Sequence, residues 1–196
     1  MSDDQSFDLV GCLARVRSRD QVAACQLVEH LYPMVIRIVR AHLPRRVPEE
    51  DLAQDIFLKM FTRLDQYQGA VPFSHWVSRI ALTTCIDQLR AQKRRPEFRW
   101  ADLSENETRV LDSATSDDSA VSPDDALAAS ELVHRLLDQL KPDDQMVIRM
   151  LDLEQKSIAE ISSLTGWNQS VVKVRAFRAR RKLQKLFAEL REREGS

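Results

Sequence analysis

Between residue 97 and Asp125 the apolar periodicity that runs through the rest of this chain stops, and Asp, Ser, Thr and Glu take over. A stretch of that composition buries too little apolar surface to offset its ordering entropy, so it reads as a flexible, acidic, solvated linker. The chain therefore divides into two small domains, 1–96 and 126–196, on either side of a linker at 97–125. Only four Gly occur in 196 residues and aromatics make up 6%. That balance favours helices over the turn-rich strands of a sandwich or barrel, and the expected fold class is all-α.

In the first half, Leu9, Val10, Leu13 and Val16, then Val22, Leu27, Leu31, Val35, Ile38 and Val39, recur at helical spacing with a break at Ser18–Asp20. Pro44 and Pro48 bracket a turn. Pro48-Glu49-Glu50-Asp51 reads as a helix start with acidic groups in the first turn, and that helix runs to about Tyr67. Gly69 and Pro72 force a loop, after which Ser74 is the expected cap of a helix reaching Lys93-Arg94-Arg95 and stopped by Pro96. Four helices result.

In the second half, helical pattern resumes near Asp125, and Lys141-Pro142-Asp143-Asp144 opens a fresh helix. Ser157-Ile158-Ala159-Glu160 fits a capping box, Thr165-Gly166-Trp167 a turn, and Asn168 an N-cap for a basic helix ending near Leu190. This is helix-turn-helix order. At about 100° per residue, Val172, Ala176, Ala179 and Leu183 form one stripe that must pack inward. The opposite face carries Ser170, Lys173, Val174, Phe177, Arg178 and Arg181, flanked by Arg175, Arg180 and Lys182. Such a mixture suits a DNA major groove, where Arg reads guanine, apolar atoms meet the thymine methyl, and flanking cations hold phosphates. A basic helix is also often only a solvated surface. Phe177, turned away from the core stripe, favours the groove.

The net charge of −1 conceals an asymmetry: acidic residues crowd Asp102–Asp125, while basic ones cluster at Arg90–Arg99 and Lys173–Lys185. The positive patches point to an acidic polymer as partner. Cys12, Cys25 and Cys85 have neither disulfide nor zinc spacing and are expected to be small buried hydrophobes. The N-terminus lacks a signal-peptide pattern and no stretch approaches about 18 uninterrupted apolar residues, so a cytoplasmic location is expected. His30, His42, His75 and His134 are scattered, and neither a nucleotide-binding glycine loop nor a nucleophile with its base is present. No catalytic residue, metal, cofactor or small-molecule substrate is expected.

Residues 136–187, LLDQLKPDDQMVIRMLDLEQKSIAEISSLTGWNQSVVKVRAFRARRKLQKLF, resemble the C-terminal domain of extracytoplasmic-function (group 4) sigma factors, with the pattern L-P…R…E-I-A…G-x-x…T-V-K-S-R…R-A-R…L. The resemblance implies that Ser170, Lys173, Val174, Arg175, Phe177, Arg178 and Arg181 read a minus-35 promoter element. Val171 and Val174 stand where Thr and Ser are usual, Ser162 replaces a small apolar residue, and Lys141 precedes Pro142. Residues 49–67, EEDLAQDIFLKMFTRLDQY, resemble the family's A-E-D-L-x-Q-E-x-F-L pattern. There Leu52, Ile56, Phe57, Met60 and Leu64 are expected to face inward, with Asp51, Gln54, Asp55 and Leu58 outward, towards the β′ clamp helices of RNA polymerase. The segment LDQYQGAVPFSHWVSRIALTTCIDQLRAQKRR resembles the part that melts the minus-ten element and catches a flipped base. It nominates Tyr67, Phe73, Trp76, Thr83, Arg90, Lys93 and Arg94. Unstacked bases need aromatic surface and nearby cations, although Phe73 and Trp76 are better read as core anchors than as stacking platforms. Thr83 stands where the family has Asn.

The resemblance thus implies an alternative sigma factor that binds core RNA polymerase through its β′ and β subunits, directs initiation at promoter DNA, and is restrained by an anti-sigma factor. The rival is a free-standing helix-turn-helix regulator that binds an operator as a dimer. It explains the C-terminal domain equally well and leaves the aromatic and basic 67–95 stretch unexplained.

Overall fold

The computed structural model describes residues 7–42, 47–94 and 132–194, and all regular structure among them is helical. The linker expected at 97–125, the resumption near Asp125, the turn at Pro44 and the stop at Pro96 lie outside the described residues. Two compact units emerge, Met1–Leu89 with Ser162–Gly166, and Arg90–Ile161 with Trp167–Ser196.

The first unit opens with α1 (Leu9–Arg17), capped by Asp8, whose Oδ1 accepts the Gly11 N–H at 2.9 Å. The break expected at Ser18–Asp20 is present, with Arg19 in the left-handed region at φ 65°. Asp20 then caps α2 (Gln21–His42) by accepting the Val22 and Ala23 N–H groups at 2.8 and 3.1 Å. The Ala23 N–H above all, with Arg15 beside it, holds the Asp20 carboxyl below its ordinary pKa. By length and composition α2 could cross a membrane. Its apolar positions Ala23, Leu27, Leu31, Val35 and Val39 are instead sealed inside the unit, while Glu29, Arg37 and Arg40 stay exposed, which is the pattern of a core helix.

Pro48 in extended geometry precedes α3 (Glu49–Thr62), whose first turn carries Glu49, Glu50 and Asp51 at the positive end of the helix dipole. A 3-10 turn, Leu64–Gln66, follows. Helix α4 (Phe73–Arg94) begins one residue before the expected cap. The Pro72 carbonyl accepts the first helical bonds, from His75 and Trp76, and Ser74 lies inside the first turn. Proline fits that preceding position because its fixed φ suits a helix entry.

In the second unit, α5 covers residues 132–138. Next comes α6 (Pro142–Ile148), continued by a π-helical turn, Arg149–Leu153, in which the Glu154 N–H reaches the Arg149 carbonyl five residues back at 2.9 Å. Along the chain then follow α7 (Ile158–Thr165), of which Ser162–Thr165 are counted with the first unit, and α8 (Gln169–Glu194), which lies in the second. Leu137, Leu140, Ile148 and Ala179 form a buried cluster with Leu183 packed against it.

One cysteine departs from expectation. Cys12 and Cys85 are buried, but Cys25 is exposed on α2, because it lies off the stripe running from Ala23 through Leu27. Burial pushes the Cys85 thiol up to about 12 and raises that of Cys12 as well. Thiolate is the reactive form. A thiol-specific reagent at pH 8 should therefore titrate Cys25 rapidly in the folded protein and the other two only on unfolding; stopped-flow absorbance would resolve the phases.

Candidate functional site

The helix-turn-helix is built by three local devices. Ser157 and Glu160 satisfy each other, the Ser157 Oγ accepting the Glu160 N–H at 3.2 Å and a Glu160 carboxylate oxygen accepting the Ser157 N–H at 2.8 Å. The Ser157 hydroxyl, which donates to that carboxylate at 2.6 Å, is the main reason the Glu160 pKa is lowered. Gly166 ends α7 at φ 77°, a conformation an L side chain rarely adopts. Asn168 then starts α8 by accepting the Val171 N–H on its side-chain oxygen at 2.8 Å.

Along α8, Val172, Ala176 and Ala179 are buried and Leu183 is half-buried. The face opposite carries Ser170, Lys173, Val174, Phe177, Arg178 and Arg181, and every one of these is exposed; Val174 is 46% and Phe177 67% accessible. Arg175 differs from the expectation of an outward phosphate-holding flank. Its guanidinium sits 4.3 Å above the Trp167 ring and pairs with Asp143 at 2.5 Å, with only 23% of the side chain accessible. Arg180 likewise pairs with Asp152 at 2.6 Å, and the Lys182 ammonium donates to the Gln139 carbonyl. The flank is thus partly committed to the unit itself.

In the first unit, Leu52, Ile56, Phe57, Met60 and Leu64 are buried, whereas Asp51, Gln54, Asp55 and Leu58 are exposed, Leu58 at 64%. These four form an acidic and amide-bearing row around one apolar side chain. Beyond α3, Tyr67, Phe73 and Trp76 cluster with ring centroids 4.9–5.5 Å apart. Phe73 is 2% exposed, which corrects its assignment to a base-stacking surface: it anchors the cluster from beneath. Tyr67 and Trp76 remain half-exposed. The Tyr67 hydroxyl donates to the Val71 carbonyl at 2.9 Å, and Gly69 at φ 78° lets the loop between them reverse.

Trp76 and Thr83 line a concavity of about 250 Å³ together with Arg63, Gln66, Arg79 and Ile80. Arg63, Gln66 and Arg79 were not nominated by the sequence. The spacing of Trp76, Arg79, Ile80 and Thr83 at i, i+3, i+4 and i+7 is the signal that could have found Arg79. Thr83 Oγ1 donates to the Arg79 carbonyl at 2.7 Å, so with its hydrogen committed it offers a ligand an acceptor oxygen and a methyl. Arg90, Lys93 and Arg94, at the end of α4, belong to the second unit, where Arg90 pairs with Asp143 at 2.9 Å and the Lys93 ammonium donates to the Leu140 carbonyl.

Residues 27–95 match the family model for Sigma-70 region 2, and residues 130–183 that for Sigma-70, region 4. The chain is 32% identical over 170 residues to the ECF RNA polymerase sigma-E factor of Escherichia coli (strain K12), covering 85% of this chain and 87% of that protein. It is 27% identical over 188 residues to the RNA polymerase sigma-H factor of Pseudomonas aeruginosa, covering 94% and 95%. Among solved structures it is similar in fold to CnrH in complex with the cytosolic domain of CnrY, with a TM-score of 0.51 at 24% identity, covering 91% of this chain and 96% of that one.

The Asp143–Arg175–Trp167 contact has a measurable consequence. A partly desolvated cation–π contact combined with a half-buried ion pair should contribute about 1–3 kcal/mol. Arg175→Ala should lower the urea midpoint accordingly, Arg175→Lys by less, and the Arg175→Ala loss should largely vanish in an Asp143→Ala, Trp167→Leu background, as a thermodynamic cycle between the single, double and triple variants by circular dichroism would show.

Proposed function

This chain belongs to the ECF RNA polymerase sigma factors, and on that basis we propose how its surfaces divide the work of promoter recognition. As a sigma factor it binds core RNA polymerase and directs promoter-specific initiation, while RNA synthesis itself is the polymerase's chemistry. In our reading, residues 1–96 form the polymerase-binding and minus-ten module, 97–125 the linker, and 126–196 the minus-35 module.

The observation that carries this reading is the outward row of α8. Ser170, Lys173, Val174, Phe177, Arg178 and Arg181 enter the major groove of the minus-35 element, and the N-terminal end of such a helix is where base edges are met. Arg175 orients this helix. Tyr67, Trp76 and Thr83, with Arg63, Gln66 and Arg79, receive an unstacked base of the minus-ten element, and Arg90, Lys93 and Arg94 serve the strand's phosphates. Asp51, Gln54, Asp55 and Leu58 meet the β′ clamp helices, and further contacts fall to the β subunit. The protein acts in the cytoplasm, where its DNA and polymerase are. The exposed Leu58 and Phe177 are also suitable anchors for an anti-sigma factor that covers both working faces; exposed apolar groups amid polar rims are typical of such contacts. A free-standing operator-binding regulator would leave the outward row of α3 and the concavity beside Trp76 without a role.

Two substitutions separate the surfaces. Leu58→Asp should weaken binding to core polymerase about 10–30-fold, the loss expected when an apolar interface anchor becomes charged, measured by competition with a labelled sigma factor. Lys173→Ala should leave core binding unchanged, lower run-off transcription, and reduce by about one the slope of log affinity against log salt. A Leu58→Asp protein that competes like the parent would refute the assignment of the α3 row.

A further inference from the structure

We propose that Val174, extended by Phe177, is a specificity-determining residue that recognises the 5-methyl group of thymine in the promoter duplex. The inference rests on the reading of α8 as the major-groove helix.

Val174 is the sixth residue of α8, in its second turn, and it carries two methyl groups with 46% of its surface open to solvent. Phe177 stands one turn further on the same side, 67% open. Both point away from the stripe of Val172, Ala176 and Ala179 that ties the helix to its unit, so neither contributes to the unit's own core. Around them, Ser170, Lys173, Arg178 and Arg181 provide hydrogen-bond donors and positive charge on the same exposed face. An apolar centre within a cationic rim is complementary to one feature of a DNA groove. Phosphates and most base edges are polar, but the C5-methyl of thymine is an apolar group on the major-groove edge, and its presence separates T·A from C·G at that place. Valine has no side-chain hydrogen-bonding group, so at position 174 the chain can discriminate bases only by such apolar contact. A hydroxyl at that place would instead tolerate several bases.

The test uses the full chain bound to core polymerase and a promoter-length duplex library randomised across the minus-35 region. One library is made with thymidine and a second with deoxyuridine, which lacks only the methyl. The parent protein should enrich thymine at one or more positions from the first library. Replacing that thymine by deoxyuridine in the selected duplex should weaken binding about fourfold, the contribution of one buried methyl. 5-Methylcytosine should recover part of the binding lost when cytosine replaces that thymine. Val174→Ser should lose the difference between the two libraries while still selecting a sequence, and Val174→Thr, which keeps one methyl, should fall between. If the parent selects one sequence equally well from both libraries, the methyl assignment is wrong while the groove reading stands. If no sequence is selected, the groove reading fails first. If Val174→Ser changes core binding and not base preference, the apolar centre belongs to a protein contact and the proposal is overturned.

Discussion

Val172, Ala176 and Ala179 are sealed from solvent along one side of α8, and two of the three are alanines. Small side chains let the helix axis approach its neighbours closely, and with a residue advancing about 100° per step, burying that stripe fixes which side chains point the other way. Lys173, Val174, Phe177 and Arg178 are outward because these three are inward. Arg175, between the two faces, is pinned by Asp143 and Trp167. The stripe sets the helix's depth and the arginine resists its rotation. Which side chains the outward face of α8 presents depends on that phase.

The first unit obeys the same logic with larger side chains. Leu52, Ile56, Phe57 and Met60 go inward on α3, which leaves Asp51, Gln54, Asp55 and Leu58 no direction but outward. A 3-10 turn and a left-handed Gly69 then reverse the chain, and Tyr67 meets Phe73 and Trp76 across the loop. The concavity beside Trp76 is therefore a by-product of core packing: Phe73 fills the space beneath, and the groups lining the surface depression come from the 3-10 turn and one side of α4. Rigid aromatic support under a partly open indole is what a stacking surface needs if it is to hold a base without first being ordered itself.

Periodicity is why so much of this was legible in the sequence. The Ser18–Asp20 break, the Pro48 entry, the Ser157–Glu160 capping box, the Asn168 cap and the two faces of α8 all follow from interactions within four residues of one another, which a linear sequence displays. Features that depend on residues distant in sequence have the opposite property. A helical wheel puts Arg175 on the flank because it gives direction but not the position of Asp143, 32 residues earlier, and two groups that close in space outweigh the angle. Phe73 is ambiguous in the sequence because an aromatic beside a basic stretch has the same composition whether it faces out or in. Gln66 and Arg63 went unseen because they join the concavity only through a turn whose geometry no spacing rule announces. Ser74 does not cap α4 because the helix already begins at Phe73, with the Pro72 carbonyl accepting its first bonds.

The chain as a whole is nearly neutral, and in the second unit Asp143 and Asp152 pair with Arg175 and Arg180. Two of the helix's cations are thus partly neutralised at close range, so the long-range attraction of this unit for DNA is weaker than its arginine content alone suggests. Non-specific binding scales with the number of phosphates neutralised, and it is this sequence-independent part that the internal pairs diminish. Contacts that distinguish one base from another are short-ranged and are not reduced by the pairing. Removing charge from the flanks while keeping an apolar and hydrogen-bonding centre therefore raises the ratio of specific to non-specific binding at the expense of absolute affinity. A subunit that reaches DNA attached to polymerase can tolerate that exchange, since the attachment supplies a high local concentration that a free regulator would have to obtain from its own surface charge.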